Sequence, residues 1–256
     1  MCFDLDSQPP LQTRPAAGVT TSRDILTAED GNRLRAFRAA PKDPAERGAG
    51  VVVLPDVRGI YPFYEAIAVD LANHGYLAIV VDYYGRTAGI DDRPDDFDAT
   101  PHVMRTTRDG VATDIRAATA ALRVDGAEAV AAVGYCFGGR HAFWASAPEF
   151  GFAGVVGFYG VPGTGGPLGP GPTQHADQLA APILGIFGGA DAYIPASEVD
   201  AFDHALSHAG VAHEIEVYPG APHSFFDVKH HEHAQASADA WQRTHQFLDR
   251  VTRPNR

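Results

Sequence analysis

Three side chains in this sequence have the types and the chain order that nucleophilic catalysis requires: Cys136, then Asp191, then His223. Cys136 lies in AVAAVGYCFGGRHAF, where a run of small and β-branched residues meets a helix-compatible run. Gly134-Tyr135-Cys136-Phe137-Gly138 has the form G-x-C-x-G, a cysteine version of the nucleophile elbow. A sharp strand-to-helix turn presents such a nucleophile in a strained conformation, and glycine two residues to either side removes Cβ atoms that would clash. The helix N-terminus that follows favours thiolate over thiol, and the backbone N–H groups of Phe137 and Val57 are the candidate oxyanion donors. The alternative for Cys136 is a buried core thiol beside packing glycines.

The two partners follow turn-rich stretches. FGGADAYIP places Asp191 after two glycines, and YPGAPHSFFD places His223 in a loop able to aim an imidazole back across a sheet. Taken singly, an aspartate in a turn is an Asx cap and a histidine is a solvated side chain. Taken together, in the order nucleophile, acid, histidine, they read as a triad in which His223 is the base and Asp191 orients it.

These residues need a scaffold, and the sequence supplies an alternation. DILTAEDGNRLRAFRA reads as a hairpin around Asp30-Gly31, and VVVLP (51–55) as a strand buried on both faces. Helical stretches at 63–74, 103–122, 197–209 and 232–251 alternate with short apolar runs at 77–81, 129–133, 154–158, 183–187 and 214–218. Alternation of this kind implies an α/β fold with a mostly parallel sheet and helices on both faces. Ligands then collect beyond the carboxyl ends of the strands, where Asp56, Asp82, Arg86, Cys136, Asp191 and His223 all fall. Residues 1–22 read as an N-terminal arm, 23–256 as one domain, and the Gly/Pro-dense stretch 160–172 as a loop that covers the pocket or faces solvent.

Composition narrows the partners. Twenty basic against 32 acidic residues give a net charge of -12 with no Lys/Arg cluster, which argues against nucleic acid. The N-terminus lacks an apolar signal core and no apolar run approaches membrane-spanning length, which points to the cytoplasm and away from a membrane. The two cysteines, Cys2 and Cys136, suggest no disulfide framework, so Cys136 is expected as a thiol and Cys2 as a free thiol on a mobile tail. His230, His231 and His233 in KHHEH precede a helix without a second ligand cluster and read as surface; no metal site is expected. Arg58, close to Asp56, is either a surface ion-pair partner or a contact for an anionic substrate.

This constellation resembles the dienelactone hydrolase family of the α/β-hydrolase superfamily over roughly residues 25–250. GYCFGG, GGADAYIP and PGAPHSF carry the resemblance most specifically, with LPDVRGI and LANHGYLAIVVDYYGR adding to it. It implies a cysteine that attacks a cyclic enol ester, no cofactor, and a carboxylate after the first core strand that pairs with the resting thiol. That position is Asp56, where the family pattern has glutamate. It also implies that Arg86 binds the substrate carboxylate, whereas Phe226 and Asp227 stand where a second arginine is expected.

The expected activity is hydrolysis of activated esters or lactones by a monomer or homodimer. Alternatives are a non-catalytic small-molecule binder on the same fold and a thiol redox protein using Cys136. A thiolate leaves a tetrahedral intermediate more readily than an alkoxide, so a cysteine enzyme needs a substrate with a stable leaving group such as an enolate or phenolate.

Overall fold

The computed structural model describes residues 6–11, 18–43, 45, 48–94, 96–165 and 168–253. Eight strands form one sheet: β1 (Val19–Thr27), β2 (Arg33–Pro41), β3 (Ala49–Leu54), β4 (Tyr76–Val81), β5 (Ala129–Tyr135), β6 (Val155–Phe158), β7 (Ile183–Gly188) and β8 (His213–Tyr218). Their order is β1-β2-β4-β3-β5-β6-β7-β8. The β1–β2 and β2–β4 pairs are antiparallel and every pair from β4 to β8 is parallel.

The sequence dictates this layering. AGVVVL of β3 and YLAIVV of β4 are buried at every position, as strands covered on both faces must be. β1, at the edge, alternates polar and half-buried positions and is mostly exposed, which blunts an edge that would otherwise template pairing. The helices that cover the faces are α1 (Pro62–Asn73), α4 (Arg108–Val124), α5 (Phe137–Trp144), α6 (Ala196–Ala209) and α7 (Ala234–Thr252); single-turn α2 (Gly85–Ala88) and α3 (Thr100–Val103) lie in the connections. α7 shows how a face is chosen: Ala240, Trp241, Thr244, Phe247 and Leu248 are buried, spaced by three and four residues.

Three differences from the sequence reading have local causes. Pairing of β1 with β2 begins at Val19, opposite Pro41, inside the stretch 1–22 expected as an arm. The long helix expected over 103–122 is two pieces, because Thr107 is extended (φ -116°, ψ 152°) and its Oγ1 accepts the Gly110 N–H at 3.1 Å. A threonine that satisfies an orphan N–H in this way starts a helix and interrupts whatever precedes it. Finally, the described residues of the Gly/Pro stretch 160–172 are tied down from inside: the buried Arg140 of α5 donates from Nη1 to the Val161 and Gly163 carbonyls (2.9 and 2.6 Å) and from Nη2 to those of Gly169 and Pro170 (both 2.9 Å).

The chain runs from β3 to β4 on one side and returns past β3 to β5 on the other, so the topological switch lies between β3 and β5. A crevice at their carboxyl ends is where such sheets bind ligands. Thr107→Ala should remove the α4 cap at a cost of about 1 kcal/mol, lowering the thermal midpoint by about 2–4 °C without changing the fold; differential scanning calorimetry would show it, and an unchanged midpoint would mean the cap contributes nothing.

Candidate active site

The site is built at the switch point. β3 and β5 run in register, Leu54 beside Gly134, and each continues two residues to Asp56 and Cys136. Cys136 has φ 52° and ψ -110°, the turn expected of a nucleophile elbow. Two contacts hold it: its N–H donates to the Phe158 carbonyl at 2.9 Å, and its carbonyl accepts the Arg140 N–H at 3.0 Å. The glycine requirement is explicit. A Cβ on Gly134 would lie 2.1 Å from the Gly138 carbonyl oxygen, and one on Gly138 would lie 2.0 Å from that of Leu54. Only three non-glycine residues with positive φ are found among the described residues, and all belong here: Cys136, Tyr159 at the end of β6, and Ser224 next to His223. Backbone strain concentrated this way marks functional sites.

Asp191 and His223 are brought together. His223 Nδ1 lies 2.6 Å from Asp191 Oδ2, while Asp191 Oδ1 accepts the N–H groups of Tyr193 (2.8 Å) and Ile194 (3.1 Å). The aspartate side chain is fully buried and the histidine is 10% exposed. These bonds lock the carboxylate and fix the imidazole with Nδ1 towards it. Tyr159 and Tyr193 flank the ring, their centroids 5.1 and 5.3 Å from it. Neither tyrosine was singled out in the sequence, although Tyr193 stands inside GGADAYIP.

Cys136 is disulfide-bonded, which corrects the expectation of a thiol. Cys2, expected as a free thiol on a mobile tail, lies outside the described residues. Spacing along the chain could not reveal this pairing, because disulfide formation depends on distance in space and not on sequence separation.

The other expected residues divide. Asp56 is fully buried, and burial pushes its carboxyl up to about 6 against the opposing help of the Arg58 N–H, the Arg58 charge and the Tyr64 and Tyr61 hydroxyls. Its Oδ1 accepts the Arg58 N–H at 2.9 Å and its Oδ2 faces Tyr61 Oη at 3.4 Å, so both oxygens engage their own loop. Val57, the next residue, is half-buried, and its carbonyl accepts a hydrogen bond from Tyr84 Oη. Phe137 opens α5, where its N–H has no place in the helix ladder. Arg86 pairs through Nη1 with Asp114 at 2.5 Å and through Nη2 with Asp30 at 2.7 Å, tying α2 to α4 and the β1–β2 turn. Arg58 is different, since its Nη1 is buried without a hydrogen-bond partner among the described residues while its guanidinium lies 5.4 Å from the Tyr61 ring. Asp227 is buried and turned to the N-terminal arm, its Oδ1 accepting from Gln8 N–H (3.3 Å) and Lys229 N–H (3.1 Å). His230, His231 and His233 surround Glu232 on the surface. No helix among the described residues is long and apolar enough to cross a membrane.

The raised Asp56 carboxyl carries a pH signature. Its folded value, about 6, exceeds the ordinary 3.8, so the folded state holds the proton more tightly. Stability must therefore fall as pH rises from about 4 to about 6 and level off above, by on the order of 1–3 kcal/mol from this group. Asp56→Asn should flatten that part of the urea-unfolding profile; an identical slope in the variant would contradict the assignment.

Comparison with known proteins agrees with this architecture. The family model for the dienelactone hydrolase family matches residues 34–252. A carboxymethylenebutenolidase of Rhodococcus opacus is 32% identical over 214 residues, covering 80% of this chain and 83% of the relative. A putative carboxymethylenebutenolidase of Escherichia coli K12 is 31% identical over 252 residues, with 90% and 91% covered. The crystal structure of a putative dienelactone hydrolase from Klebsiella pneumoniae superposes with a TM-score of 0.77 at 26% identity, over 90% of this chain and 98% of that one. The chain therefore belongs to the dienelactone hydrolase family, and it is a hydrolase of ester or lactone bonds on an α/β-hydrolase fold.

Proposed function

We propose that the protein hydrolyses activated carboxylic esters and lactones, enol or aryl esters in particular, through Cys136, His223 and Asp191. The observation that carries this reading is the 2.6 Å contact between His223 and Asp191 at the same end of the sheet as the strained turn of Cys136. In the reduced protein His223 Nε2 takes the Cys136 proton, and Sγ attacks the substrate carbonyl. The Phe137 and Val57 N–H groups receive the developing oxyanion, and the α5 N-terminus adds its partial positive charge. Collapse expels the enolate or phenolate and leaves a thioester. His223 then activates water, the tetrahedral intermediate expels the thiolate, and the acid product departs. Asp191 holds the ring and stabilises imidazolium throughout.

The disulfide at Cys136 sets a condition on this cycle, because a disulfide sulfur has no lone thiolate to attack with. The working enzyme is the reduced form, consistent with a reducing, cytoplasmic setting. Protein prepared without reductant should lose most of its turnover of p-nitrophenyl acetate and regain it with dithiothreitol; full activity while Cys136 remains oxidised would sink the cysteine mechanism. His223→Ala should lower kcat of the reduced enzyme by at least ~10³, and near-wild-type turnover in that variant would remove the triad.

Substrate charge is the finer question. With Arg86 committed to Asp30 and Asp114, and Phe226 buried in the core, Arg58 is the cation that supports a carboxylate contact. One such contact favours neutral or singly charged substrates, with modest activity on a carboxylated dienelactone. Comparison of kcat/KM for that acid and its methyl ester checks this: an acid favoured by ~100-fold, about 2.7 kcal/mol, contradicts it, and Arg58→Gln should abolish whatever preference for the acid exists.

A further inference from the structure

Away from the catalytic end, α1 and α7 bring three ligand-type side chains to one point. Asp70 and His74 lie one turn apart on α1 and its C-cap, and His245 comes from α7. These are the only three His, Cys, Asp or Glu residues among the described ones whose ligand atoms gather within 4.8 Å of one another. Asp70 Oδ2 is 3.3 Å from His245 Nε2 and 3.4 Å from His74 Nδ1. Two donors each bound to zinc at about 2.0–2.1 Å in a tetrahedron are separated by about 3.3 Å. Those two separations are close to the edges of a tetrahedral site, and the His74 and His245 rings, their centroids 3.9 Å apart, would have to turn for both nitrogens to face one ion.

Other details fit a metal site. Trp241 Nε1 donates to Asp70 Oδ2 at 3.0 Å, the kind of outer hydrogen bond that holds a ligating carboxylate in place. The Asp70 side chain is 6% exposed and the two imidazoles 15% and 27%, so the donors are sheltered but open on one side. That side is a cavity of about 350 Å3, lined by these three residues and by Trp241, Gln242 and Gln246. A cavity there leaves room for a fourth ligand such as water.

We propose that Asp70, His74 and His245 form a site for one divalent transition-metal ion, zinc foremost, that ties α1 to α7. Imidazole and carboxylate donors suit zinc, with copper, nickel and cobalt as competitors, and the two nitrogen donors disfavour calcium and magnesium, which take oxygen ligands. His74 Nδ1 now lies 2.8 Å from the Asp70 carbonyl. Coordination replaces that hydrogen bond, with the ring proton carried on Nε2, and His245 binds through Nε2 with its proton on Nδ1. Both imidazoles bind in their neutral form. The site needs no change at Cys136 or His223.

Full-length protein stripped with a chelator and titrated with zinc chloride decides the matter by calorimetry. The expected result is one ion per chain with a dissociation constant in the micromolar range or below, a thermal midpoint raised by several degrees in excess zinc, and visible d–d bands of tetrahedral type when cobalt replaces it. His245→Ala should weaken binding by at least ~10-fold, and the milder Trp241→Phe, which keeps all three donors, by about 10-fold. His231→Ala should leave binding unchanged. Absence of saturable binding, octahedral-type cobalt bands, or binding that survives His245→Ala and disappears with His231→Ala would each overturn the proposal.

Discussion

The arrangement of this protein depends on one steric constraint, the passage from β5 to α5 through Cys136. With φ 52° and ψ -110°, the chain turns so sharply that the positions two residues to either side approach neighbouring carbonyls. A Cβ at Gly138 would meet the Leu54 and Pro55 oxygens at 2.0 and 2.4 Å, and one at Gly134 the Gly138 oxygen at 2.1 Å. Glycine at these two positions lets α5 pack against the ends of β3 and β5. That packing sets the Phe137 N–H and the loop from Asp56 to Tyr61 around the same point.

The other site residues are held by independent devices. Asp191 is fixed by two backbone N–H groups and needs no help from Cys136 to orient His223. Tyr159 and Ser224, with φ 37° and 59°, place strain on both flanks of the imidazole. Strain of this kind persists only where the surroundings over-determine it, and the buried aromatic residues Tyr135, Phe158, Phe225 and Phe226 supply that support beneath the site. Arg140 extends it outward by pinning the loop after β6 through four carbonyls.

Much of this was legible in the sequence, for definite reasons. Fully buried parallel strands read as unbroken apolar runs, so β3, β4, β5 and β7 stand out, and the strand ends then point to Asp56, Cys136, Asp191 and His223. The ion pairs of Arg86 are not legible there, because position after a strand says nothing of which carboxylate a long flexible side chain will find; Asp114 comes from α4 and Asp30 from the first hairpin. The break at Thr107 was missed because a cap is a competition between one hydroxyl and the helix ladder, invisible to periodicity. The Asp70, His74 and His245 cluster was missed because His245 of α7 joins the α1 pair through tertiary proximity alone.

The central claim is that reduced Cys136 becomes acylated during turnover. Reduced protein mixed with p-nitrophenyl acetate, quenched in acid during the burst and digested, should show a single acetyl group on the peptide that contains Cys136, mapped to its sulfur by fragmentation. Acetyl found on another side chain during that burst, with Cys136 unmodified, would contradict the account.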